Sequence, residues 1–188
     1  MSLDMAFDEI YPLISKVAIP FSGTLLQIFR DGVLLDSPGE DLDFAVKQED
    51  MIELFDSLSG YNKSVLTCPE TKEDTIKYRN EDVYGQFNEI SFECMNTPIN
   101  IYIPQKLGEY RVFVYWLPEK NGKRIHSIRL VSDRFFTNIA PVWFRDIKVN
   151  IPKDIEGCLE TLYGDTWRIK NEDWDKSCVP CEWKRIEL

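Results

Sequence analysis

Leu3, Phe7, Ile10, Ile14 and Val17 recur at three- and four-residue intervals, the spacing that gives a helix one apolar face. This predicts an amphipathic first helix lying on a sheet, with Pro20 as a barrier to its continuation. The apolar run 17–21 reads as a first strand that turns at Ser22-Gly23 into a second helix over 24–30, stopped by Gly32. Ser37-Pro38-Gly39 is a turn signal, and residues 41–46 alternate acidic and apolar side chains as a half-buried strand does. Met51, Ile52, Leu54, Phe55 and Leu58 predict a further helix of about three turns. The middle of the chain reads as strands over 75–78, 86–94, 99–103, 110–116 and 125–131, with Pro98 and Pro104 bracketing one of them. After the stretch 142–151, Pro152 opens a predicted helix through Tyr163, with Gly164 as its cap.

This order predicts an α+β fold, a mixed or antiparallel sheet with helices at both ends of the chain. No repeat, low-complexity linker or boundary divides it, so residues 1–188 read as a single domain. With 188 residues, 44% of them hydrophobic, the chain is long enough to bury a core. A net charge of -10 opposes binding along a nucleic-acid backbone. A small nucleotide or sugar phosphate stays compatible, because a divalent ion and a local basic pocket can reverse the field. No run approaches the ~18–20 apolar residues of a membrane span, and no basic region followed by an apolar core opens the chain, so a cytoplasmic location is expected. Five cysteines make an odd number for a disulfide framework, and reduced thiols are the simpler expectation.

Asp41 and Asp43 would share one face of their strand and could close on one hard cation through oxygen, an arrangement suited to phosphoryl chemistry. The plainer reading is a solvated strand edge. Gly23 permits close backbone approach and Thr24 offers a hydroxyl at a helix start, both sensible for a phosphate, or simply a turn and N-cap. Arg30 would balance a phosphate or pair with Asp31 or Asp36, while Asp36 and Glu40 lie near enough in sequence to assist the acidic pair. Cys178-Val179-Pro180-Cys181 is half of a zinc site with no second pair, and the lone His126 reads as a surface or cross-strand residue.

The run Gly23-Thr24-Leu25-Leu26, Arg30-Asp31-Gly32 and Asp41-Leu42-Asp43 resembles the opening of the LicD/fukutin family, which has the nucleotidyltransferase superfold. Ile151-Pro152, Leu159, Tyr163-Gly164-Asp165 and Trp167-Arg168 resemble that family's closing block, so the two blocks bracket nearly the whole chain. The resemblance implies a nucleotidyltransferase-like sheet with flanking helices and Mg²⁺ or Mn²⁺ on Asp41 and Asp43. It implies that Gly23, Thr24 and Arg30 hold a donor phosphate and that Tyr163, Trp167 and Arg168 line a substrate cleft. On physical grounds Trp167 serves equally as a cap on the core, with Arg168 paired locally. The superfold's third carboxylate would fall in the segment Pro98-Ile99-Asn100-Ile101-Tyr102-Ile103-Pro104, where Asn100 stands in the acid's place. Asn lacks the charge and cannot take a proton; Glu93, on the preceding predicted strand, is a candidate substitute.

The implied activity is transfer of a phosphorylated substituent, phosphocholine or a polyol phosphate such as ribitol phosphate, from a nucleotide-activated donor to a sugar or glycan hydroxyl. Two other readings stand beside it. Asn100, together with Gln27 where the family commonly has Gly, favours a degenerate, non-catalytic member that binds a nucleotide or a protein partner. The Gly-Thr turn and the Asp pair suit equally a small nucleotidyltransferase that adds a nucleoside monophosphate to a small molecule or protein.

Overall fold

The computed structural model of the protein describes residues 2–36, 40–68, 76–78, 81–83, 86–120, 123–170 and 184–187. Its first half runs α1 (Leu3–Ile14), β1 (Ala18–Pro20), α2 (Ser22–Leu26) continued by a π-helical turn Gln27–Asp31, β2 (Leu42–Val46), a 3₁₀ turn Gln48–Asp50 and α3 (Met51–Ser57). Seven strands follow: β3 (Ser64–Cys68), β4 (Ile76–Tyr78), β5 (Glu81–Val83), β6 (Gln86–Cys94), β7 (Thr97–Tyr102), β8 (Gln105–Leu107) and β9 (Tyr110–Lys120). The rest is β10 (Lys123–Ser132), α4 (Arg134–Thr137), β11 (Ile139–Phe144), β12 (Ile147–Pro152), α5 (Ile155–Tyr163) and β13 (Lys184–Glu187). The class is mixed α+β: a five-stranded sheet ordered β1-β2-β7-β6-β3, a four-stranded sheet β13-β10-β9-β8, and two two-stranded sheets. Among the described residues no helix is long and apolar enough to cross a membrane.

The five-stranded sheet is antiparallel except for the β2–β7 pair, which is parallel. Phe7 and Tyr11 of α1 stack on Phe44 of β2 at 6.0 and 6.2 Å. By strand alternation Leu42 and Val46 share the Phe44 face, and register adds Ile99 and Ile101 of β7, all of them buried. On the opposite face Phe21 stacks on Phe113 at 4.9 Å, and Phe136 and Tyr102 close the cluster. Strand β2 is therefore buried along its whole length, where its alternation predicted a half-buried strand. The cause is its place inside the sheet, with side chains covering both faces.

Pro20 sits on the edge strand β1. Phe21 N–H donates to Asp43 O at 2.9 Å, so by alternation the Pro20 nitrogen faces away from β2, where no ladder bond is lost. Gly32, at φ 70°, ends the helix beginning at Ser22, its N–H donating to Gln27 O. That left-handed turn is the stop signal read from the sequence.

α1 ends at Ile14, short of Val17, and α3 has seven residues, about two turns where three were expected. Two further boundaries differ in the second half of the chain. The stretch 142–151 is a hairpin rather than a single run, with strands β11 and β12 meeting at Arg145-Asp146. Arg145 adopts φ 52°, a left-handed conformation unfavourable for a non-glycine residue, and is held there by ion pairs to Asp4 and Asp8 of α1. No Asn-Gly or Asp-Gly signal marks that turn. Pro152 closes β12 instead of opening the last helix, which starts at Ile155 behind Asp154, whose side chain accepts from Gly157 N–H at 3.1 Å. The turn at 37–39 and the Cys178/Cys181 pair lie outside the described residues. His126 stands on β10 in register with Trp116.

A buried cation ties the second sheet to the first. Arg111 on β9 is fully buried and donates to Asp133 from Nε at 2.6 Å and to both carboxylate oxygens of Glu49 at 2.7 and 3.0 Å. Lys106 adds a second cation to Asp133 at 2.8 Å. The Arg111 guanidinium holds the Glu49 carboxyl at about 2 rather than the usual 4.5. The depressed value means that this interaction is complete above about pH 4.5 and is lost as the pH falls toward 2. Arg111→Met should cost about 3 kcal/mol in urea unfolding at neutral pH. Glu49→Gln should cost less, and its margin against wild type should shrink between pH 4.5 and 3; a pH-independent margin would mean that the pair adds nothing.

Candidate functional site

The two predicted acids project from the face of β2 opposite α1, and each is bound from β7. Asn100 Nδ2 donates to Asp41 Oδ2 at 2.7 Å, and Tyr102 Oη donates to Asp43 Oδ1 at 3.1 Å. Asp43 and Asn100 are register partners across the parallel pair. Across the next pair Ser91 of β6 is in register with Asn100, and Glu89 with Tyr102. The Ser91 hydroxyl lies 2.7 Å from Glu89 Oε1 and 3.2 Å from Asn100 Oδ1. One polar ladder thus crosses three strands, from Asp41 through Asn100 and Ser91 to Glu89. Because Asp41 takes the amide protons of Asn100, the carbonyl end of that side chain is turned to Ser91.

Segment 22–24 closes over Asp43. Asp43 is buried. Its second oxygen, Oδ2, accepts from Gly23 N–H at 3.3 Å, and its own N–H donates to Thr24 Oγ1 at 2.8 Å. Thr24 is itself buried, so the hydroxyl predicted to meet a phosphate here joins helix to strand. Ser22 is held at φ 46°, a strained conformation of the kind that collects at functional loops. Its hydroxyl is hydrogen-bonded to that of Tyr163 at 3.2 Å. Tyr163, at the end of α5, is the residue of the downstream block that reaches this loop.

Arg30 lies against its neighbour Asp31, with bonds of 2.9 and 2.8 Å. The Asp31 carboxylate beside it raises the guanidinium pKa above its ordinary value. Of the roles read from sequence, the ion pair with Asp31 is the one formed. Asp36 Oδ1 accepts from Leu3 N–H at 2.6 Å, tying the loop before β2 to α1. Glu40 accepts from Gln27 Nε2 at 3.5 Å, while Gln27 Oε1 takes Leu35 N–H at 2.6 Å. Trp167 is buried and packs on Phe29 with centroids 5.8 Å apart. Arg168 lies over its ring at 4.4 Å and pairs with Glu156 at 2.7 Å, the local packing arrangement.

Glu89, Ser91 and Tyr102 carry no local signal in the sequence, where Glu93 is the candidate on this strand. Glu93 is exposed and in register with Pro98, on the ladder's face but level with Asp41. The missing signal was the turn between β6 and β7: Met95 and Asn96 have φ 53° and 61°. Two residues at positive φ make the tight hairpin turn that Asn favours, and counting back from it places Ser91 opposite Asn100.

Among the described residues no group of three or more His, Cys, Asp or Glu side chains forms a metal-holding cluster. The sequence matches no protein-family model and no curated protein.

A Cβ at Gly23 would meet only Asp43 Oδ2, at an ordinary 3.5 Å. Gly23→Ala should therefore leave thermal stability within about 0.5 kcal/mol of wild type. Thr24→Val, which leaves the Asp43 N–H without its acceptor, should cost about 1–3 kcal/mol. Equal costs in the two variants would contradict this account of the loop.

Proposed function

We propose that this chain is a metal-dependent transferase of the LicD type on a nucleotidyltransferase-like fold. It would move a phosphorylated substituent, such as phosphocholine or a polyol phosphate, from a nucleotide-activated donor to a sugar or glycan hydroxyl. The observation that carries the reading is the ordered pair Asp41 and Asp43, presented from one face of β2 beside Gly23 and joined to Asn100 on the parallel strand.

The donor set fits a hard divalent ion. Asp41 and Asp43 supply carboxylate oxygens, and the groups that orient them, an amide, a phenol and a peptide N–H, add no positive charge. Asp41 and Asp43 would hold Mg²⁺ or Mn²⁺, which when bound offsets charge on the donor phosphates. Asn100 aims Asp41; Tyr102 and Gly23 aim Asp43. The room beside Gly23, where a Cβ would meet only Asp43 Oδ2 at 3.5 Å, supports close approach by a phosphate. Asn100 cannot receive the acceptor's proton, and that task falls to Glu89, the carboxylate at the far end of the ladder. In the transfer the acceptor oxygen gives its proton to Glu89 and bonds to phosphorus, as the bond from phosphorus to the leaving nucleotide breaks. No covalent enzyme intermediate is needed.

A second reading, a non-catalytic member that binds a nucleotide or a protein partner, is favoured by one feature. The residue in the third acid's place is neutral, and its amide already occupies Asp41.

The decisive measurement is thermal stability with CDP- and UDP-linked donors and nucleoside triphosphates, each with and without Mg²⁺ or Mn²⁺. A donor at a hundred times its Kd should add about 2.7 kcal/mol, only with metal, and Asp41→Asn or Asp43→Asn should abolish the gain. Absence of any shift would sink the transferase reading in favour of a partner-binding chain. Where a shift is found, Asn100→Asp should tighten metal binding and Glu89→Gln should lower kcat with little change in KM.

A further inference from the structure

Ser22 stands at φ 46° between two pinned neighbours. Phe21 is held by its ring on Phe113 and by its N–H on the Asp43 carbonyl, and Thr24 by the Asp43 N–H on its hydroxyl. The residue between them takes a left-handed conformation that side chains other than glycine's rarely adopt. Relaxing φ at Ser22 would turn the peptide that carries the Gly23 N–H, and with it the bond from that amide to Asp43 Oδ2 at 3.3 Å. The Gly23 contact therefore depends on what holds Ser22.

The hold comes from the end of α5. Tyr163 Oη lies 3.2 Å from Ser22 Oγ, across 141 residues of sequence, and Tyr163 is itself buried. Its position is fixed on either side. The Leu162 carbonyl accepts from Arg129 of β10, and Gly164, at φ 82°, closes the helix with its N–H on Glu160 O at 2.8 Å. Trp167 N–H then returns to Gly164 O at 3.4 Å, and the Trp167 ring packs on Phe29. The end of α5 thus grips the helical stretch 22–31 at both ends, through Tyr163 at Ser22 and through Trp167 at Phe29.

We propose that Tyr163 is a positioning residue of the acidic site, whose hydroxyl, acting through Ser22, holds the left-handed turn that stands the Gly23 amide on Asp43. The consequence for a ligand rests on the transferase reading. A turn fixed before the donor arrives spares the donor the cost of ordering that segment, so loss of the tether appears as weaker donor binding.

Amide hydrogen exchange in the full ¹⁵N-labelled chain reads the turn directly. Tyr163→Phe should speed exchange at Gly23 about tenfold, the equivalent of one hydrogen bond, with the Leu159 and Leu162 amides of α5 unchanged. Ser22→Ala, which keeps the left-handed strain and loses the tether, should match it. Adding Ser22→Gly to Tyr163→Phe should return Gly23 to within about twofold of wild type, because glycine takes this φ without strain. Unchanged Gly23 exchange in Tyr163→Phe, an equal rise through α5, or no recovery with glycine overturns the proposal. With a CDP- or UDP-linked donor and Mg²⁺, Tyr163→Phe should weaken binding about tenfold, and the double variant should recover it. Equal donor binding in wild type and Tyr163→Phe overturns the role of the tether in the site. A wild type that binds no donor, with exchange behaving as stated, removes the transferase reading and leaves Tyr163 as the tether of the turn.

Discussion

The structure around the candidate site is organised by the need to satisfy one buried carboxylate. Asp43 retains only 6% of its surface, and a carboxylate so far from water is tolerated only when its oxygens are hydrogen-bonded. The donors come from two directions: the Tyr102 hydroxyl across the parallel strand, and the Gly23 amide from the turn ahead of α2. The same residue donates its N–H to Thr24 and accepts from Phe21 N–H through its carbonyl. Strand, turn and helix thus meet on Asp43, and the strained φ of Ser22 is part of what brings the Gly23 amide within reach.

The burial of Asp43 follows from the division of β2 into two faces. Phe44 turns its ring to Phe7 and Tyr11 and fixes the orientation of the strand, because a one-residue slip would exchange Asp43 with Phe44. The opposite face cannot be wholly polar: Phe21, Tyr102, Phe113 and Phe136 cluster over it. Tyr102 serves both environments, with its ring in the aromatic cluster and its hydroxyl on Asp43.

Local chemistry was legible in the sequence where a single residue type dictates the backbone. The helical spacing over 3–14, the stop at Gly32 and the β6 span at 86–94 all have counterparts in the structure, whereas Val17 lies beyond the end of α1. The hairpin at Arg145 and the start of α5 were less legible. The first uses a left-handed arginine stabilised by Asp4 and Asp8, far away in sequence, and the second uses an Asp154 cap whose signal stands beside the stronger one of a proline. Within the site, the acids and their common face could be read, because alternation is a local rule. The ladder through Asn100, Ser91 and Glu89 depends on which strands lie side by side, and parallel pairing of β2 with β7 leaves no mark in either strand alone. The pairing of Arg30 with Asp31 illustrates the converse: a nearby counter-charge satisfies a cation before any ligand is considered.

Gln27 and Asn100, the two positions at which the sequence resemblance is broken, bear on the same point. Gln27 accepts Leu35 N–H and donates to Glu40, steadying the chain as it approaches β2. Asn100 then receives Asp41 as that strand begins. A third acid at position 100 would set a negative charge against Asp41 and require a cation or a proton to hold the two together. With an amide there, Asp41 is oriented by a neutral donor and the approach to β2 needs no metal for its order. An amide at position 100 also brings one negative charge fewer to this face of the sheet than an acid would. What the geometry supplies at Asp41 is therefore an acid ordered by an uncharged partner on the neighbouring strand.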